Sequence, residues 1–262
     1  MQSLPKEIDS AGMDVTEITT KSALTRSRIA GVEYVINPYL GCAHGCKYCY
    51  AGFMAKWSKH HAGSPWGSFV EVKVNIAAVL ERELRSRRKT GAVMLSSVCD
   101  PYQPLEARYR LTRQCLSLLV EYGWEIDILT RSPLVTRDLD ILQKADKARV
   151  GISIPTDDEH VRKCLEPHSP PIYRRLDGLK QLHDAGIKTW VFIAPILPMS
   201  PAKLCEAIRP NVDYVLIDRL NYRRRMEQVF RKKGWSHALS DAYAAETEAR
   251  LLDLLKDKAR LV

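Results

Sequence analysis

The sequence predicts an α/β fold assembled from parallel β/α units, and three observations predict it. Short β-branched runs alternate along the chain with longer segments whose apolar residues recur at the helical period. Six such runs alternating with helices are the pattern of parallel strands joined by right-handed crossovers. Runs such as Trp190-Val191-Phe192-Ile193-Ala194 are apolar almost throughout, which fits a sheet covered on both faces.

Taken in order, residues 1–30 are polar and weakly patterned and read as an extended arm laid over the domain. The predicted strands are Val32–Ile36, Ala92–Ser97, Glu125–Leu129, Arg149–Ile154, Thr189–Ala194 and Tyr214–Ile217. Between them lie helical stripes: Ile76, Val79, Leu80 and Leu84; Leu111, Cys115, Leu116 and Leu119; Leu176, Leu179, Leu182 and His183, stopped by Ala185-Gly186; and Leu204, Ala207 and Ile208. Residues 31–220 thus form the β/α body. Residues 221–262 form a basic C-terminal helical extension, with Ala242 to Leu261 as a charged amphipathic helix. Six units suit either a partial barrel or a doubly wound sheet, and both place functional residues at the C-terminal ends of the strands.

The chain has 262 residues, 45% of them hydrophobic and 27% charged, which excludes disorder or coiled coil as a description of the whole. No apolar run is long enough to cross a bilayer, and the N-terminus lacks the apolar stretch of a secretory signal, so the expectation is a cytoplasmic protein without a membrane partner. Lys and Arg number 40 against 31 Asp and Glu. A surplus of that size points either to a polyanionic partner, nucleic acid above all, or to a solubilising surface.

Three of the seven cysteines, Cys42, Cys46 and Cys49, fall in one Pro- and Gly-containing loop directly after the first predicted strand. Three thiolates so close together need a cation. Zinc would require a fourth ligand from His44, His60 or His61, because no second Cys-x-x-Cys occurs. An iron–sulfur cluster with three protein ligands leaves one iron open to a small molecule. Cys115, Cys164 and Cys205 sit on helical apolar stripes and read as buried, inert thiols.

Cys42-x-x-x-Cys46-x-x-Cys49, with Tyr48 before the third cysteine, resembles the signature of the radical S-adenosylmethionine (radical SAM) enzymes. The resemblance implies a partial (β/α)6 TIM-type barrel and a 4Fe–4S cluster whose open iron is chelated by S-adenosylmethionine. It also implies a 5′-deoxyadenosyl radical that abstracts hydrogen from substrate, and an electron donor such as flavodoxin or ferredoxin. Further segments are similar to the spore photoproduct lyase-like branch. They are Asn37-Pro38-Tyr39, Asp100-Pro101-Tyr102-Gln103-Pro104-Leu105-Glu106, Thr130-Arg131-Ser132, Arg137-Asp138, Leu165-Glu166-Pro167 with Arg175-Leu176, and Ile193-Ala194-Pro195-Ile196.

By that resemblance Tyr48 contacts the adenine of S-adenosylmethionine, and Arg131, where the family usually has Lys, binds its carboxylate or ribose. Ser153 is a candidate for a hydrogen bond to the same cofactor. Glu166 and Arg175 match an acid–base pair of the pocket, the alternative being a surface or interstrand salt bridge. Tyr50 matches a tyrosine of the hydrogen-return path. Ser97 falls at the donor cysteine's position; Cys99, two residues on, would face the same side if the strand continued. This departure bears on lyase chemistry itself.

Two basic runs complete the reading: Arg82, Arg85, Arg87, Arg88 and Lys89, and Arg223-Arg224-Arg225 with Arg231-Lys232-Lys233, the latter interleaved with Tyr222, Phe230 and Trp235. Such interleaving suits phosphate tracking and base stacking. The functional expectations are therefore radical chemistry on nucleic acid, with DNA lesion repair as its lyase-like form; radical modification of a peptide, protein or small metabolite; or a metal-stabilised nucleic-acid-binding module.

Overall fold

In the computed structural model, which describes residues 6–8, 12–87 and 90–262, the chain visits its main strands in the order in which they pair. The strands are β1 (Lys6–Ile8), β2 (Asp14–Ile18), β3 (Thr25–Arg26), β4 (Tyr34–Ile36), β5 (Tyr39–Gly41), β6 (Phe69–Lys73), β7 (Ala92–Leu95), β8 (Glu125–Thr130), β9 (Ala148–Ser153), β10 (Lys188–Ile193), β11 (Tyr214–Ile217) and β12 (Ala259–Leu261). The helices are α1 (Ile76–Arg85), α2 (Glu106–Tyr109), α3 (Leu111–Glu121), α4 (Leu139–Leu142), α5 (Glu159–Leu165), α6 (Ile172–Asp184), α7 (Pro201–Ile208), α8 (Arg223–Lys232) and α9 (Asp241–Leu255).

The eight-stranded sheet runs β12-β11-β10-β9-β8-β7-β4-β3. Every pairing from β4 to β12 is parallel, and only β3 is antiparallel. Sequential order without reversal separates this sheet from a doubly wound one, whose order switches direction part-way. Right-handed crossovers then fall on one face, and the other face becomes the lumen of a partial barrel. The six predicted parallel strands are β4 and β7–β11, with ends shifted by a residue or two.

The sheet is covered unequally on its two faces. In β8 the residues Ile126, Ile128 and Thr130 are buried while Asp127 and Leu129 are half-buried, and β11 alternates in the same way. The fully buried set packs with the helix stripes, including Val79, Leu80, Leu116, Leu119, Leu179 and Leu182. The half-buried set lines the lumen. There, Leu129, Gly151, Trp190 and Tyr214 form one row across the strands, and Ser153, Phe192 and Leu216 form the next. Trp190 stacks on Tyr214 at 5.7 Å and lies so flat on β9 that a Cβ at Gly151 would come within 2.2 Å of its ring. In the middle strands the lumen side is filled as well: Trp190, Gly151 and Ser153 are buried, in line with the apolar run Trp190–Ala194, while β8 and β11 leave their lumen residues half-buried.

Both ends of the chain are more sheet-like than predicted. The arm contributes β2, which pairs in parallel with β6 in a second sheet, β1-β2-β6-β5. The C-terminal helix ends at Leu255, where Lys256 takes a left-handed backbone (φ 50°), and the chain then adds β12 in parallel to β11. Residues 259–261 therefore belong to the barrel's edge rather than to a helical extension. Asp158 caps α5 by accepting from His160 N (2.7 Å) and Val161 N, in line with an acidic helix start. Arg88 and Lys89 of the first basic run lie outside the described residues. Among the described residues no helix is long and apolar enough to cross a membrane.

Candidate functional site

The three-cysteine loop leaves β5 and is moulded by glycines. Gly41 (φ 93°) passes so close to Phe69 that a Cβ would meet its carbonyl at 2.4 Å. Gly67 (φ 95°) is packed backbone to backbone on Gly45, where a Cβ would meet Gly45 Cα at 2.6 Å. Only glycine fits such positions.

Buried polar contacts then hold the loop over the strand ends. Gln103, fully buried, accepts from Ala43 N (2.9 Å) and donates to Gly41 O (3.4 Å). Lys47 N donates to Leu165 O (2.9 Å) and His168 N to His44 O (3.4 Å). Tyr39 donates to Glu106 (2.5 Å), which also accepts from Thr112 N and Arg137. Asn37 Oδ1 accepts from Ser97 N (3.0 Å) and Val98 N (3.2 Å), fixing the turn after β7. Asn37, Gln103 and Glu106 were visible only as motif letters; the loop and strand groups they hold (Ser97, Ala43 and Tyr39) lie some sixty residues away in sequence, so nothing local marked that task.

Cys42, Cys46 and Cys49 are free thiols, the first two buried and the third half-buried. Burial pushes all three above the ordinary thiol range, Cys46 to about 12, while the neighbouring Arg131 guanidinium opposes the rise at Cys46 and Cys49. The indole N–H of Trp66 is buried on the cavity wall it shares with Cys46 and Cys49 and is directed at the Cys49 sulfur. Three thiols at this depth become thiolates only beside a cation, so the donor set fits a positively charged metal centre. Among the described residues no three His, Cys, Asp or Glu side chains gather as around a single ion. The histidines offered as a fourth zinc ligand are engaged elsewhere: His44 lies between His168 O (3.4 Å) and Asp100 (3.3 Å), and His61 between Thr16 (3.0 Å) and Asp14 (3.5 Å). His60 is exposed. A cubane cluster takes one thiolate per iron and needs no such convergence.

Beneath the loop, a buried charge network joins the ends of β8 and β9. Glu166 accepts from Tyr48 and Arg175, and from Arg131 Nε at 3.0 Å; Arg131 Nη2 also donates to the Tyr48 hydroxyl at 3.2 Å. Arg175, wholly buried, further donates to Ser153 O (3.0 Å), Pro170 O (2.9 Å) and Ser169 Oγ (2.9 Å). The Glu166–Arg175 pair is therefore not a surface salt bridge. Burial alone would raise the Glu166 carboxyl, but Arg175 and Arg131 outweigh it and hold it at about 2. Asp100, also near 2, is held there against burial by His44, Thr130 (2.5 Å) and Arg131 N (2.7 Å). Ser153 Oγ is buried with no partner, at the top of the lumen row. Tyr48, Arg131, Ser153, Glu166 and Arg175 are thus brought together, with Tyr48 and Arg131 bonded to Glu166.

Cys99 and Tyr50 are hydrogen-bonded to the segments around Tyr39 and Ser96–Ser97 rather than to that network. β7 ends at Leu95 and Ser96 has φ 65°, so strand alternation does not carry to Cys99. Its thiol donates toward Tyr39 O (3.4 Å) and Ser96 Oγ (3.5 Å), and burial raises it to about 11. Tyr50 donates to the carbonyl of Ser97, and burial raises its hydroxyl to about 12. Cys115 and Cys205 are buried as predicted, whereas Cys164 is half-buried, 4.0 Å from His160 Nε2. In the second basic run Phe230 is wholly buried and Trp235 packs on it; Tyr222 alone of the three rings is exposed. Arg223 pairs with Asp241 at 2.6 Å.

A parallel partial barrel with a three-cysteine loop over its C-terminal strand ends defines a radical SAM-type enzyme. The chain belongs to the radical SAM superfamily, whose family model matches residues 36–209. It is 39% identical over 186 residues to the uncharacterized protein MJ0683 of Methanocaldococcus jannaschii, covering 71% of this chain and 69% of that one. To the uncharacterized protein Rv2578c of Mycobacterium tuberculosis it is 34% identical over 196 residues, covering 71% of this chain and 57% of the other, so it spans little more than half that relative's length. Its fold matches that of spore photoproduct lyase complexed with dinucleoside spore photoproduct. The TM-score is 0.66 at 18% identity, covering all of this chain and 86% of that one.

Proposed function

We propose that the protein holds a 4Fe–4S cluster on Cys42, Cys46 and Cys49 and performs radical chemistry on nucleic acid, with lyase-like repair of a DNA lesion as its form. The observation that carries this reading is the set of three free thiols, two buried and one half-buried, on one glycine-moulded loop above a buried charge network. When bound and reduced by a donor such as flavodoxin or ferredoxin, the cluster and S-adenosylmethionine together supply a 5′-deoxyadenosyl radical.

The chain's residues do the positioning. Ser153, with its unpartnered hydroxyl, and Arg131, 20% exposed with one edge tied to Glu166, meet the cofactor's polar groups. Glu166 and Arg175 keep Tyr48 and Arg131 in place, because a wholly buried ion pair has one low-energy geometry. Cys99 stays a thiol at neutral pH, the form able to give a hydrogen atom, and Tyr50 stands beside it in the hydrogen-return path. Support for nucleic acid comes from the surplus of cations and from the dinucleoside bound by the structurally similar lyase.

The test is anaerobic incubation with dithionite and S-adenosylmethionine, assayed for 5′-deoxyadenosine. Wild type forms it and Cys46→Ala does not; equal yields would end the cluster assignment. Irradiated DNA, RNA and peptides added to the same assay rank the substrates, and turnover stimulated by peptide alone would replace the nucleic-acid reading.

A further inference from the structure

The surface beside the cysteine loop carries two exposed rings, Phe53 and Trp57, to which the radical site gives no task. From Cys49 the chain enters a 3₁₀ segment, Tyr50–Trp57. At three residues per turn, Tyr50, Phe53 and Lys56 share one edge of it, and Trp57, the next residue, stands on the adjoining edge at its end. These rings are not core: Trp57 is 73% exposed, Tyr50 49% and Phe53 44%. Phe53 and Lys56, with Lys47 and Arg225 of α8, line the same open cavity of about 410 Å³ whose wall includes Cys46, Cys49 and Trp66. Arg225 in turn sits 4.8 Å from the ring centroid of Tyr222, itself 43% exposed.

The charge here is one-sided. Between Glu33 and Glu71 the chain carries no carboxylate, while Lys47, Lys56 and Lys59 supply cations. Exposed rings interleaved with cations suit a polyanion that also offers flat apolar faces. Single-stranded nucleic acid is such a partner: bases stack on the rings while phosphates follow Lys and Arg. A duplex hides its base faces, and an acidic protein surface offers charge without a series of planar rings.

We propose that this face binds unpaired nucleotides, with Trp57 and Phe53 as stacking platforms and Lys56 and Arg225 on the phosphates. It deepens the nucleic-acid reading above and rests on it. The face lies beside Cys49, so a strand stacked there is delivered to the mouth of the radical site.

The experiment is fluorescence anisotropy of a labelled single-stranded oligonucleotide with the full chain prepared anaerobically, over a series of salt concentrations. Trp57→Ala weakens binding about tenfold, as expected for loss of one stacked base. Lys56→Gln lowers the slope of log affinity against log salt by about 0.7, the value for one phosphate on a single strand. A duplex of the same sequence binds more weakly. Substrate-free 5′-deoxyadenosine formation with dithionite, measured on the same preparations, is unchanged in Trp57→Ala. Oligonucleotide affinity equal to wild type in both Trp57→Ala and Phe53→Ala overturns the proposal. So does normal oligonucleotide binding combined with lost reduction by a flavodoxin, which would assign the face to the electron donor. Cleavage failing in wild type while the binding pattern holds strikes the cluster reading alone.

Discussion

The two ends of the parallel sheet hold similar residue types in opposite states. At the N-terminal ends of β7–β10 lies an open cavity of about 620 Å³, lined by Glu125, Asp127, Lys147, Arg149 and Lys188 among others. Its ion pairs are wet: Lys147 with Glu125 is exposed on both sides, and Arg149 with Asp127 (2.9 Å) on the arginine side. At the C-terminal ends the cavity beside Cys46 and Cys49 is about 410 Å³, smaller than the other, but Glu166 and Arg175 are buried completely. The direction of proton affinity differs too. Burial raises the Asp127 carboxyl despite the opposing Arg149, whereas Glu166 and Asp100 are held near 2 by their partners. Volume is thus a poor guide to the functional end of this barrel, and buried, charge-paired carboxylates are a better one.

Removing one charge from each end gives the widest separation. Glu166→Ala leaves Arg175 a buried cation with no counter-charge and costs about 3–5 kcal/mol of stability. The matching change at the other end, Glu125→Ala, breaks an exposed pair and costs below about 1 kcal/mol. Denaturant unfolding of the two variants measures the difference, and similar losses would erase the distinction between the ends.

Two glutamines offer a narrower contrast. Gln103→Leu strands the Ala43 N–H and the Gly41 carbonyl in the interior, at about 1–3 kcal/mol, and lowers the iron retained by the cysteine loop. Gln143, whose exposed amide donates to Ala185 O at 3.2 Å, can be changed to Ala with almost no loss. Iron content that is unaffected by Gln103→Leu would separate the loop's anchoring from its ability to bind metal.

The last contrast is a pH dependence of opposite sign. Carboxyls held below their ordinary values of 4.5 (Glu166) and 3.8 (Asp100) add stability that is complete above those values and lost as pH falls toward about 2. Asp127, raised by burial, opposes folding once ionised, so Asp127→Asn stabilises slightly at neutral pH and the gain vanishes in acid. Unfolding curves between pH 2 and pH 7 follow both trends; a destabilised Asp127→Asn at pH 7 would reverse the assignment.

The contrast also explains what the sequence made legible. Six of the seven strands that pair in parallel in the main sheet were readable, because β-branched runs between amphipathic stripes are local signals; β12 was read as helix. The cysteine loop was readable because its ligands lie within eight residues. The link from Tyr48 to Glu166 spans 118 residues, and no periodicity marks it. Phe230 was misplaced because a buried ring inside a basic run looks like an exposed one until α8 is packed. Cys99 was assigned by strand alternation, which ended at the left-handed Ser96.

The most direct measurement is iron and acid-labile sulfide on anaerobically purified protein. About four of each per chain in wild type, falling together in Cys42→Ala, Cys46→Ala and Cys49→Ala, is the predicted result. One zinc per chain without sulfide, or iron retained after any of the three substitutions, would contradict it.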